Sequence, residues 1–169
     1  DLRASLRIRI GIVCCRRCLD LLPTGAIACA GDYVAIDAAI CAGCGECAAA
    51  CPTGAAAYAL PSADSLMRKL RALLMTFHQA GGKNPIVLLH DNEHGGPLID
   101  ALARHGAGLP ANVLPVSVNE VTQIGLEAIA AAFAYGAMDV RLVVRTKPRH
   151  DISGLRQIIG FAAPILSAL

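Results

Sequence analysis

Four cysteines within eleven residues constrain this chain more than any other feature. They stand at 41, 44, 47 and 51 of "CAGCGECAAACP", and Pro52 closes the run. Disulfides, zinc and iron–sulfur clusters all use cysteine at such density. Disulfides fit worst, because thiols three residues apart in a tight loop form no orderly staple and nothing points to export. Zinc uses Cys-x2-Cys as a half-site, but usually draws two pairs from separated turns. A compact run suits a cluster of several irons. Each thiolate takes its own metal while backbone N–H groups face the inorganic sulfur, and Gly43 and Gly45 let the backbone wrap closely.

A damaged copy of the run stands upstream, in "CCRRCLDLLP" at 14–23. A shift of 29 residues maps Cys15 onto Cys44 and Cys18 onto Cys47, and carries Pro23-Thr24-Gly25-Ala26 onto Pro52-Thr53-Gly54-Ala55. The spacing C-x2-C-x2-C-x3-C-P and this repeat together resemble the bacterial two-cluster 4Fe-4S ferredoxins, over residues 10–60. The resemblance implies an α+β ferredoxin-like domain over 1–60, with paired cluster loops, short strands and short helices. "AIACAGDYVAID" at 26–37 is the expected hairpin, turning at Gly31-Asp32, with Cys29 as a small buried strand residue.

The resemblance also implies crossed ligation, in which the fourth cysteine of each run serves the other cluster. One site then takes Cys41, Cys44, Cys47 and position 22; the other takes position 12, Cys15, Cys18 and Cys51. Positions 22 and 12 are Leu22 and Ile12, which cannot bind iron. Each site keeps three ligands, and Cys14 is the nearest substitute in the second. The implied cofactor is one or two [4Fe-4S] clusters, with a three-iron form open to a site of three thiolates.

Beyond residue 60 the pattern changes. Ser62 is a predicted N-cap, Leu66, Leu70, Leu73, Leu74 and Phe77 recur at helical spacing, and Gly81-Gly82 stops the helix. Residues 61–83 thus read as a linker helix packed between two halves. From 84 to 169, strands "PIVLLH", "ANVLPVSV" and "DVRLVVR" alternate with helices "PLIDALARHGA", "GLEAIAAAFAYGA" and "ISGLRQIIGFAAPIL". The alternation predicts a small α/β domain with a parallel sheet. Residues 84–150 resemble the delta-subunit-type domain of methyl-viologen-reducing hydrogenase and heterodisulfide reductase systems, without that family's cysteines at the strand ends. The chain stops just past an apolar helix, so the α/β domain is expected to be truncated.

Open α/β sheets bind ligands beyond the carboxyl ends of their strands. Those places hold His90, Asp91, Glu93 and His94, then Asn119 and Glu120, then Arg145 and Lys147. They read as a polar crevice for an anion or a partner, or as a metal site through the histidines, or as ordinary solvated loops. No Gly-x-Gly-x-x-Gly or P-loop pattern supports a nucleotide, and no nucleophile–base pair is visible.

Hydrophobic residues make up 55% and mean hydropathy is +0.53, ample for a core, yet no apolar run is long enough for a membrane span. A net charge of +2 without basic–aromatic interleaving argues against nucleic acid. No signal peptide is evident, and a cytoplasmic location is expected. The reading is an electron-transfer protein or oxidoreductase subunit serving redox partner proteins, with no catalytic residues of its own. The rival is a non-redox scaffold subunit with a degenerate ferredoxin domain.

Overall fold

The computed structural model describes residues 8–9, 12–13, 15–21, 25–30, 33–59 and 62–167. The chain divides into two compact units. The first joins 1–58 to 122–125 and 151–169; the second joins 59–121 to 126–150.

The first unit begins with the short antiparallel pair β1 (Ile8–Arg9) and β2 (Ile12–Val13), and Ile12 lies on β2. Helix α1 (Arg17–Asp20) follows. The hairpin expected from the sequence is present: β3 (Ile27–Ala30) pairs with β4 (Tyr33–Ile36), with Ile27 opposite Ile36 and Ala30 opposite Tyr33. Its Gly31-Asp32 turn lies outside the described residues. Ala26, Ile27 and Val34 are buried, whereas Cys29 is exposed. The expectation of a buried Cys29 is corrected here, since a two-stranded ribbon leaves most of its side chains in water and only Ile27 of β3 is buried.

Helix α2 (Glu46–Ala50) packs on α1. The C-terminal helix α6 (Ser153–Ser167) packs on α2, and its Leu155, Ile158 and Ala162 are buried. The boundary at 84 drawn from the sequence gives α6 to the α/β part, but in the structure it belongs to the first unit.

The second unit contains α3 (Ala63–Gln79), β5 (Ile86–Asp91), α4 (Gly95–His105), β6 (Val113–Val118), α5 (Leu126–Ala134) and β7 (Asp139–Leu142). Ser62 caps α3 by accepting from the Ser65 N–H at 3.2 Å. At the other end Gly81, at φ +83°, closes a Schellman motif: its N–H donates to the His78 carbonyl and the Gly82 N–H to the Phe77 carbonyl. Helix α3 packs against α5 within this unit. Leu66, Leu70 and Leu74 are buried, while Leu73 and Phe77 are half-buried. The stripe read as a link between halves therefore serves as core of the second unit.

The three strands form one parallel sheet in the order β6-β5-β7, as the alternation predicted. Central β5 places Val87 and Leu89 in the core beside Val116 and Val118 of β6. Among the described residues no helix is long and apolar enough to cross a membrane.

Candidate metal centre

The cysteine run leaves β4 through a turn at Asp37, whose carbonyl accepts from the N–H groups of Ile40 and Cys41. Residues 41–45 then form a loop that ends in α2. Gly43 and Gly45 sit at φ +69° and +80°, in the left-handed region that side chains resist. Gly45 is doubly constrained: a Cβ there would lie 2.5 Å from the Gln123 Cβ and 3.0 Å from the Tyr58 ring.

Two side chains hold the loop from outside. The Tyr58 hydroxyl donates to the Gly43 carbonyl at 2.8 Å, and the Thr122 hydroxyl to the Cys44 carbonyl at 2.5 Å. In a trans peptide the C=O and the following N–H point in opposite directions. Tying these carbonyls outward therefore turns the N–H groups of Cys44 and Gly45 the other way. The N–H groups of Glu46 and Ala48 favour the thiolates of Cys44 and Cys47, respectively, against the larger effect of burial. The Ala56 N–H donates to the Cys51 sulfur at 3.4 Å.

The thiols fall into two electrostatic settings. Burial pushes Cys47 up to about 11, and the neighbouring Cys44, Cys41 and Cys18 push the same way. Burial likewise raises Cys44, with Glu46 and Cys41 adding to it. Burial also acts on Cys51, but the Thr53 hydroxyl and the N–H groups of Ala56, Thr53 and Ala55 outweigh it and hold its pKa below the ordinary thiol value. Neighbouring thiols that resist ionisation in one another's presence suit a cation, which replaces their protons and relieves the repulsion.

Cys15, Cys18, Cys44, Cys47 and Cys51 are half-buried and Cys41 is exposed, and none of these six is in a disulfide. Cys14 and Leu22 lie outside the described residues. Among the described residues no three His, Cys, Asp or Glu side chains converge as they would on a single metal ion. A cubane demands less convergence, because each thiolate binds a different iron. The donor set, the N–H···S bond to Cys51 and the positive-φ glycines fit such a group.

Sequence reasoning passed over Glu46, Tyr58, Thr122 and Gln123. Glu46 is 3% exposed, and its Oε1 has no hydrogen-bond partner; the Gln123 Oε1 is also buried and unpartnered. Burial, and then the Asp151 charge, raise the Glu46 carboxyl to about 7. Its position inside the cysteine run was the one available signal.

In the second unit the strand-end residues gather at the carboxyl edge of the sheet. The chain runs from β5 to β6 on one side and returns past β5 to β7, so the switch point lies between β5 and β7. Asp91 at the end of β5 accepts from the N–H groups of His94 and Gly95, which caps α4. It also pairs with Arg145 at 3.7 Å, and Arg145 pairs with Glu93 at 3.2 Å. Arg149 joins Glu93 as well. His90 is buried and donates from Nδ1 to the Asp91 carbonyl. His94 is half-buried, Asn119 and Lys147 are exposed, and Glu120 is half-buried. The arrangement ties Asp91, Glu93 and Arg145 into a structural network.

Asp91→Ala is expected to cost about 2–4 kcal/mol in urea melts, because charge-assisted hydrogen bonds to two helix N–H groups are lost. Asp91→Asn, which keeps an acceptor, loses less. Burial pushes the Asp91 carboxyl up, but the two N–H groups and Arg145 outweigh it and hold the pKa below its ordinary value. Its contribution is therefore present above the unfolded-state carboxylate pKa and disappears as pH falls through the lower folded value. The penalty of Asp91→Ala shrinks on acidification.

Residues 33–56 match the family model for a 4Fe-4S binding domain. No curated protein and no solved structure matches the chain. The match does not reach residues 84–150, so the likeness of that stretch to the delta-subunit-type domain has no support from relatives. Residues 33–56 are thus similar to a 4Fe-4S binding domain, and all four cysteines of the run fall within the matched stretch.

Proposed function

We propose that this protein is an iron–sulfur electron carrier or electron-transfer subunit, passing electrons between redox partner proteins. The match of residues 33–56 to a 4Fe-4S binding domain carries this reading, and the loop geometry supports it. When bound, a 4Fe-4S cluster takes up and gives back an electron. Cys41, Cys44 and Cys47 hold it, while Tyr58 and Thr122 fix the loop carbonyls. The backbone N–H groups of Glu46 and Ala48 favour the charged forms of Cys44 and Cys47 and so bear on the reduction potential. Exposed Cys41 keeps one side of the loop near solvent, as transfer between separate proteins requires.

The experiment is an ultraviolet–visible spectrum of the anaerobically purified chain before and after dithionite. A broad visible charge-transfer band that bleaches on reduction and returns on reoxidation is expected. A colourless chain with full secondary structure would favour the scaffold role instead.

A further inference from the structure

Three successive carbonyls of the cysteine loop are each held by a donor. The Tyr58 hydroxyl donates to the Gly43 carbonyl and the Thr122 hydroxyl to the Cys44 carbonyl. The Gly45 carbonyl accepts from the N–H groups of Ala48 and Ala49 in the first turn of α2. The peptide planes from Gly43 to Glu46 are therefore fixed one after another, with Gly43 and Gly45 at positive φ on either side of Cys44. Among the described residues, the N–H groups of Cys44 and Gly45 donate to no backbone carbonyl. Successive N–H groups left in this way by a turn form a concavity that favours anionic groups, iron–sulfur clusters among them.

The middle bond differs from its neighbours. Thr122 is 4% exposed, and its hydroxyl joins a carbonyl 78 residues earlier in the chain, at 2.5 Å. The Tyr58–Gly43 bond is exposed, so water replaces a lost donor there. The Thr122–Cys44 bond is partly buried, so a lost donor there leaves the carbonyl poorly satisfied. Gln123, the next residue, stands against Gly45: its Cβ and Cα lie 2.5 and 2.9 Å from where a Cβ on Gly45 would be. The Cys44–Gly45 peptide is thus held at its carbonyl and backed at its glycine, which leaves it one orientation.

We infer that Thr122 is a positioning residue for the cluster: its hydroxyl holds the Cys44–Gly45 peptide so that the Gly45 N–H faces away from Thr122 and serves the cluster, which makes reduction easier. The inference rests on the iron–sulfur reading above and deepens it by naming a residue that sets the potential of that site. In a trans peptide the N–H points opposite the carbonyl, so the bond that fixes one fixes the other. A reduced cluster carries one more negative charge than the oxidised one, and an N–H dipole directed at it stabilises the more negative state more. Without the hydroxyl the Cys44 carbonyl turns to find another donor, and the Gly45 N–H turns with it. Thr122 itself bonds to no iron and exchanges no proton in the step.

The test is a redox titration, with dithionite as reductant, of the anaerobically reconstituted full chain as wild type, Thr122→Val and Thr122→Ser. Iron and acid-labile sulfide per chain, and urea melts of the cluster-free chains, accompany it. Valine keeps the shape of the side chain and loses the donor, whereas serine keeps the donor. Thr122→Val is expected to make reduction about three- to tenfold less favourable, a midpoint at most about 59 mV more negative for a one-electron couple. Thr122→Ser is expected to keep the wild-type midpoint. A merely structural role would lower iron content or urea resistance and leave the midpoint of the bound cluster unchanged, and that result overturns the inference. Equal shifts in Thr122→Val and Thr122→Ser overturn it too, because the hydroxyl is then not the cause. Where Thr122→Val takes up no iron, the wild type decides. Grown with isotopically labelled glycine and reduced, it is expected to show a glycine-nitrogen coupling in pulsed electron paramagnetic resonance, and absence of that coupling overturns the inference. Failure of the underlying reading looks different: the wild type itself takes up neither iron nor sulfide.

Discussion

Gly45→Ala is expected to destabilise the first unit by about 2–5 kcal/mol, whereas Gly43→Ala two residues earlier costs about 1–2 kcal/mol. Both glycines sit at positive φ, so both alanines meet the same backbone strain. Only at 45 is the space already filled, with the Gln123 Cβ 2.5 Å and its Cα 2.9 Å from where the alanine methyl would stand. At 43 nothing lies within 4 Å. Relief at 45 requires the backbone at Gln123 to move, and neighbouring Thr122 is bonded to the Cys44 carbonyl. Urea melts of the cluster-free variants measure the difference. Equal costs would show that segment 122–125 does not brace the loop as described.

Leu70→Ala is expected to cost about 2–5 kcal/mol, the range for truncating a well-packed core leucine. Leu70 and Leu74 are fully buried on the face of α3 that packs within the second unit. Met75, on the same helix but 44% exposed, provides the control: Met75→Ala is expected to change stability by about 0.5 kcal/mol or less. A loss below that figure for Leu70→Ala in denaturant melts would contradict the burial of the stripe.

The local elements were legible because each has a short-range cause. Ser62 and Gly81 bracket α3, the apolar periods mark its buried face, and β-rich runs separated by helices mark a parallel sheet. Partners were less legible. The stripe Leu155, Ile158 and Ala162 tells which face of α6 is buried, but nothing in periodicity says against what, and the helix packs on α2 in the first unit. The segment 122–125 likewise belongs to the first unit although it interrupts the α/β alternation. Its role at Cys44 and Gly45 depends on chain separated by more than seventy residues, beyond any local pattern.

The candidate centre was readable where spacing alone fixes chemistry. The run at 41–51 carries its own signature and falls within the matched domain. The fourth ligand was not readable in that way. Position-by-position transfer points to Leu22, which cannot bind iron. The strand-end set was found because carboxyl edges of parallel strands attract polar residues. That its carboxylates and guanidinium groups neutralise one another is a property of side-chain geometry.

Iron and acid-labile sulfide per chain, measured on anaerobically purified protein, test the central claim most directly. The account predicts iron matched by an equal amount of sulfide, about four of each per cluster, in a chain whose circular dichroism shows the helices and strands described. A fully folded chain that carries neither iron nor sulfide, before and after anaerobic reconstitution, would contradict it.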